Sequence, residues 1–300
     1  MQKSISLSFL LILISFFSIK AQVATDLWVV DTEGSGDSFR PKFETAKPLT
    51  NRPLYDNQPN FINDAELVFS AADEKGNHDI ILYSFRTGNF TNFSKTADRS
   101  EYSPSLTDCK QYISAVVVEP DGTQRLWLYP ITGDAPELLY DDIAPVGYYD
   151  WYDNKAAMFV LGQPNRFVYA RGKGNLQELS TNIGRTIKTR PKTNQVSYID
   201  QNDLKSSSDS KSYAIKSIDL KNGKTTTLGA TLSGSQDFIW IDKNHLLMAL
   251  GNELFLLNPK DQNWKSLGKI AATTHQTITR MAYSAELNKL ILVLNRVEKP

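Results

Sequence analysis

The chain has 300 residues, with 33 Lys plus Arg balanced by 33 Asp plus Glu, three His, one Cys, 16 Gly and 13 Pro. A hydrophobic content of 41% with 11% aromatics is enough to fill a core, which excludes a disordered or collagen-like chain. A formal charge of zero gives no field for holding a nucleic-acid backbone, Cys109 alone cannot form an internal disulfide, and the scattered His78, His245 and His275 make a poor zinc set.

Lys3 precedes an apolar run from Ser6 to Ile19 that stops at Lys20-Ala21-Gln22. The run falls short of the roughly 20 residues a membrane span needs, and Ala21 offers a small residue at a cleavage position. Residues 1–21 are therefore expected to be a secretory signal peptide. Residues 22–300 are expected to be a single domain, exported to the periplasm or secreted, without a membrane span. No Cys follows the cleavage point, so no lipid anchor is indicated. At this length a single core buries roughly three quarters of the unfolded surface, so disulfides are not needed. The sequons at Asn89 and Asn92 are read as chance triplets.

Beyond the leader, short β-branched and aromatic runs recur between turn residues, which predicts an all-β chain. Runs beginning at Gln58, Ser103, Tyr148, Arg190, Asp237 and Arg280 are read as first strands. Their second residues (Pro59, Pro104, Tyr149, Pro191, Phe238, Met281) recur every 42 to 47 residues. Apolar second strands follow at Leu67, Ile113, Ala157, Val196, Leu246 and Leu290, after turns such as Asn63-Asp64 and Asp153-Asn154. Third strands start at Asp79, Arg125, Arg166, Tyr213 and Glu253, and weaker fourth strands come next. Four antiparallel strands per repeat is the pattern of a β-propeller blade. The last repeat has only two strands. DLWVVD at Asp26 and the neighbourhood of 47–50 supply its missing pair, predicting six four-stranded blades closed by strands from both termini, which removes the last sheet edge.

The segment TGNFTNFSKTADRSEYSPSLTDCKQYISAVVVEPDGTQRLWLYPITGDAPELL, from Thr87, resembles the repeats of TolB-like propellers, bacterial relatives of WD-repeat blades. In those repeats a Pro opens the first strand and an Asp-Gly turn precedes the third. The resemblance covers most of the chain after the leader and implies a propeller fold. The family holds protein-docking modules as well as propellers attached to peptidases, so it does not by itself imply one function.

The residues carry little sign of catalysis. No Gly-x-Ser-x-Gly elbow, His-Glu-x-x-His, Walker or Gly-x-Gly-x-x-Gly motif occurs. Asp31 to Asp37 places oxygens at alternate positions like a calcium loop, but Lys42 stands where the closing Glu would be, so a hairpin loop is expected. Tyr149 and Trp151 share a strand face and are expected to pack between blades, leaving Tyr148 free at the strand start. No catalytic residue, metal ligand or cofactor is assigned.

Propeller topology brings the starts of the first strands and the loops between second and third strands to one face. The candidate ligand-binding residues there are Glu101, Tyr148, Arg185, Arg190, Asp237 and Arg280. Planar guanidinium groups suit a carboxylate or phosphate. The expected function is an exported, monomeric, non-enzymatic module that binds a protein or peptide, with no nucleic-acid partner. The alternative is a propeller enzyme, either a metal-assisted hydrolase of lactonase type or the propeller half of a peptidase system.

Overall fold

A computed structural model describes residues 23–172, 174–206 and 211–297. The expected signal peptide lies outside them. Among the described residues no helix is long and apolar enough to cross a membrane.

The described strands form six four-stranded antiparallel sheets. The closing blade takes β1 (Thr25–Glu33) and β2 (Arg40–Pro48) from the front of the chain. Blade 1 is β3 (Asp56–Phe61), β4 (Glu66–Ala72), β5 (His78–Ser84) and β6 (Phe90–Asn92). Blade 2 is β7 (Ser100–Leu106), β8 (Tyr112–Val118), β9 (Gln124–Pro130) and β10 (Glu137–Leu138). Blade 3 is β11 (Val146–Tyr152), β12 (Lys155–Val160), β13 (Arg166–Gly172) and β14 (Asn175–Thr181). Blade 4 is β15 (Ile183–Thr189), β16 (Gln195–Ser206), β17 (Ser212–Asp219) and β18 (Thr225–Ala230). Blade 5 is β19 (Phe238–Asp242), β20 (His245–Leu250), β21 (Glu253–Leu257) and β22 (Trp264–Lys269). The ring then closes with β23 (His275–Ser284) and β24 (Lys289–Arg296), in the order β2-β1-β24-β23. This is the expected six-bladed propeller with two strands from each end in the closing blade.

Six apolar clusters hold it together, one at each seam between blades. Second strands lie inside a sheet and are buried on both faces, and that is why they read as unbroken apolar runs. Along β24, Leu290, Leu292 and Leu294 face the seam with blade 5, while Ile291 and Val293 face the seam with blade 1. Along β12, Ala156, Met158 and Val160 face blade 2, whereas Ala157 and Phe159 face blade 4. Tyr149 and Trp151 pack in the seam of blades 2 and 3, as alternation predicts, and the Trp151 indole donates to Ser114 Oγ at 2.8 Å.

Two placements differ from the sequence reading. The first strand of blade 4 is Ile183–Thr189, not a run opening at Arg190, so Arg185-Thr186 takes the position that Gln58-Pro59 and Ser103-Pro104 hold in their blades. The outer strand of the closing blade is Arg40–Pro48, longer and earlier than 47–50. The acidic loop before it is a hairpin, as expected, and its carboxylates are taken by side chains. Glu33 pairs with Arg40 and with Lys42 at 2.9 Å, Asp31 with Lys289 at 2.7 Å, and Asp37 with His245 at 3.0 Å.

Candidate functional site at the upper mouth of the channel

The innermost strand of each blade has an edge facing the ring axis, where no ladder partner is required. Proline, which lacks an N–H, is therefore tolerated there, at Pro59 and Pro104. Each of these prolines follows a residue in the left-handed region, Gln58 at φ 56° and Ser103 at φ 52°, and the register of the inner strand jumps at both points. Similar jumps fall at Tyr148, between Ile183 and Ile187, and before Arg280. These bulges re-aim one side chain in each of five blades, while in blade 5 Asp237 stands just before β19. Gln58, Ser103, Tyr148, Arg185, Asp237 and Arg280 line a narrow central chamber of about 80 Å³, one from each of the six blades.

Four of the six candidate residues meet here. Asp237 Oδ2 accepts from Arg280 Nη1 at 2.8 Å and from Arg185 Nη2. Arg280 lies 5.7 Å from the centre of the Tyr148 ring, with Nη2 3.5 Å from the phenol oxygen. The Tyr148 ring is itself held edge-on against Phe159, centroids 5.8 Å apart. Two guanidinium groups thus share one carboxylate and leave one net positive charge. Arg185 Nε is buried and, among the described residues, lacks a hydrogen-bond partner. Both guanidinium planes retain donors that a second carboxylate could accept bidentately. Above them the mouth widens to about 160 Å³ between Ser235, Gln236, Leu250 and Thr277.

Beside these residues Tyr55, His78 and Tyr102 form an aromatic group that sequence reasoning missed. Tyr55 interacts electrostatically with Arg280, Tyr148, Tyr102 and Arg185, and burial pushes its phenol well above the ordinary range. It meets His78 edge-on at 5.2 Å, and Tyr102 OH is 3.0 Å from His78 Nδ1. Burial holds the His78 ring below its ordinary range, favouring the neutral imidazole at pH 7. Tyr55 lies in the link between the closing blade and blade 1. No strand periodicity marks that link.

The other two candidates are elsewhere. Arg190 follows β15 and sits in the turn to β16 on the lower face. There it donates from Nε to the Lys243 carbonyl at 2.6 Å and from Nη1 to Gln195 Oε1 at 2.8 Å, lying 5.0 Å from the Trp240 ring centre. It bridges blades 4 and 5 rather than ringing the mouth. Glu101 is fully buried in the seam between blades 1 and 2, where its carboxyl accepts from Thr96 Oγ1 at 2.6 Å, Tyr129 OH at 2.8 Å and Ser94 Oγ at 3.0 Å. Burial pushes its pKa up, against the pull of those three donors. Among the described residues, no three His, Cys, Asp or Glu side chains gather as a metal donor set. Cys109 is exposed in a turn.

No family model and no curated protein matches the sequence. Solved structures do match. A putative TolB from Agrobacterium tumefaciens superposes with a TM-score of 0.68 at 9% identity, over 92% of this chain and 99% of that one. An oligogalacturonate lyase in complex with manganese gives 0.51 at 10% identity, over 93% and 99%. A puromycin-hydrolyzing peptidase from Mycobacterium tuberculosis gives 0.53 at 10% identity, over 84% of this chain but 47% of that one. At these identities the likeness concerns fold, and one fold hosts many chemistries. The chain has the TolB-like six-bladed propeller fold.

Proposed function

We propose that this propeller is an exported, monomeric recognition module that binds a protein partner at its upper channel mouth. The module captures a carboxylate, from an acidic side chain or a chain end, between Arg185 and Arg280. The observation that carries this reading is the pair of guanidinium groups on the single Asp237 carboxylate, with the buried Arg185 Nε still unpartnered. A mouth of about 160 Å³ is small beside the roughly 300–1,000 Å³ of typical small-molecule pockets and suits one inserted side chain. The Tyr148 ring, backed by Phe159, supplies rigid apolar surface of the kind protein interfaces favour.

Affinity capture from an envelope extract, followed by titration of the purified partner, tests this. Arg280→Gln should weaken the complex about tenfold or more, since a charge-assisted hydrogen bond contributes about 1.5–3 kcal/mol. Asp237→Asn should strengthen it, because both guanidinium groups are then released to the incoming carboxylate. A structural role alone would weaken binding in both variants. A partner held equally by the wild type and both variants would place the binding surface elsewhere.

A further inference from the structure

A cavity of about 460 Å³ lies away from the channel, in the outer part of the seam between the closing blade and blade 1. Its origin is local. At the seam of blades 2 and 3, the link leaving β10 packs Leu139, Tyr140 and the buried Ile143 between the sheets. The link leaving β2 contributes only Leu49 to its seam, and opposite it stand Phe69, Ala71 and Ile81. Phe90 forms the lip. It is 48% exposed although it packs 4.7 Å from the Tyr83 ring and 6.1 Å, edge-on, from Phe69. An aromatic half in water beside an unfilled apolar floor is unfavourable unless something covers it.

The polar rim decides what that is. Arg52 is committed to Asp56, at 2.5 Å, and to the Ala72 carbonyl at 2.7 Å. Asp73 and Asp79 also line the cavity, and among the described residues neither forms a salt bridge. Asp79 Oδ1 accepts from the Thr96 backbone N–H at 3.1 Å and shares the Ser94 hydroxyl with Glu101, and Oδ2 accepts one bond, from Asn92 at 2.8 Å. Asp73 Oδ1 caps the turn to Asn77. Both carboxylates therefore keep acceptor capacity and uncompensated charge next to an aromatic floor. A cation gains from each, and the π-face of a ring attracts it further.

We infer that this seam cavity is a second binding site, for a small organic cation with an apolar, ring-sized body. It is independent of the channel mouth. Phenethylammonium and phenylpropionate, alike in body and opposite in charge, are suitable probes, titrated into the full chain by ligand-observed NMR. The cation should bind about tenfold or more tightly than the anion. Phe90→Ala, at an exposed position that leaves the fold intact, and Asp79→Asn should each weaken the cation several-fold. Arg280→Gln should leave it unchanged. Equal binding of the two probes, no binding of either, or indifference to Phe90→Ala would overturn the inference. So would a cation affinity that falls as protein concentration rises and a dimer forms, since a second copy would then be the occupant.

Discussion

Glu101 shows how a single residue was legible in type but not in place. Its position two residues before Ser103 would put both on one strand face by alternation, yet the bulge between Tyr102 and Ser105 breaks that parity and turns the carboxyl into the seam. Its environment gives a pH prediction. Burial raises the folded pKa above the ordinary glutamate value of 4.5, so the native state binds more protons than the unfolded chain between those two values. Stability from this group is therefore greatest at acid pH and declines as pH rises from about 4.5 through the raised pKa. Glu101→Gln removes the ionisation while keeping the shape, so its melting temperature should gain on the wild type as pH increases from 4 to 7. A constant difference across that range would show that Glu101 stays as easily ionised as in water. Arg190 was misplaced for a different reason. Arg190-Pro191 mimics Gln58-Pro59 and Ser103-Pro104, and the true opener, Arg185-Thr186, has no proline to announce it. Tyr55 and His78 carry no strand-start signal, because both lie outside the inner strands.

At the scale of the element, legibility followed burial. Second strands buried on both faces are unmistakable, whereas the outermost strands have few apolar contacts to specify them. β6 spans three residues and β10 two. The inner hairpin turns were readable from composition, and one shows why. Asp153 and Asn154 both adopt positive φ, 51° and 55°, between the paired Tyr152 and Lys155. A two-residue hairpin turn with both central residues left-handed matches the strand twist, and Asp and Asn tolerate it better than branched residues. Asp153→Val should cost roughly 1–2 kcal/mol, the penalty for forcing a β-branched side chain into that region. Asn154→Gly should be neutral or slightly stabilising. Chemical denaturation of the two variants checks this, and a Val variant as stable as the wild type would mean that the turn changes conformation at no cost. The bulges that build the channel lining carry no such composition signal. Their positions became clear only from the pairing register.

At the scale of the whole molecule, ring closure was the inference that rested on counting. A final repeat with two strands and an orphan strand at Asp26 imply each other. The fold realises this by pairing β1 with β24 from Thr25↔Asn295 to Asp31↔Lys289. The join is reinforced by a buried polar knot. Asp26, fully buried, accepts from Thr50 Oγ1 at 3.2 Å, meets His275 Nε2 at 2.9 Å and pairs with Arg296 at 2.5 Å, linking β1, β23 and β24. Breaking one partner from such a set leaves a charge without compensation and is more damaging than losing an exposed pair. Leu290 to Leu294 are all fully buried, three of their side chains facing blade 5 and two facing blade 1, so β24 is interior to two seams at once. Removing residues 281–300 would strip β24 and the second half of β23, open the edge of β1, and expose both apolar faces it had covered. The truncated chain should therefore fail to yield a soluble monomer, running as aggregate in size-exclusion chromatography and losing the cooperative melt. A truncated protein that stays monomeric and melts like the full chain would show that five blades hold without the sixth, and that the two-ended closure is not what keeps the ring together.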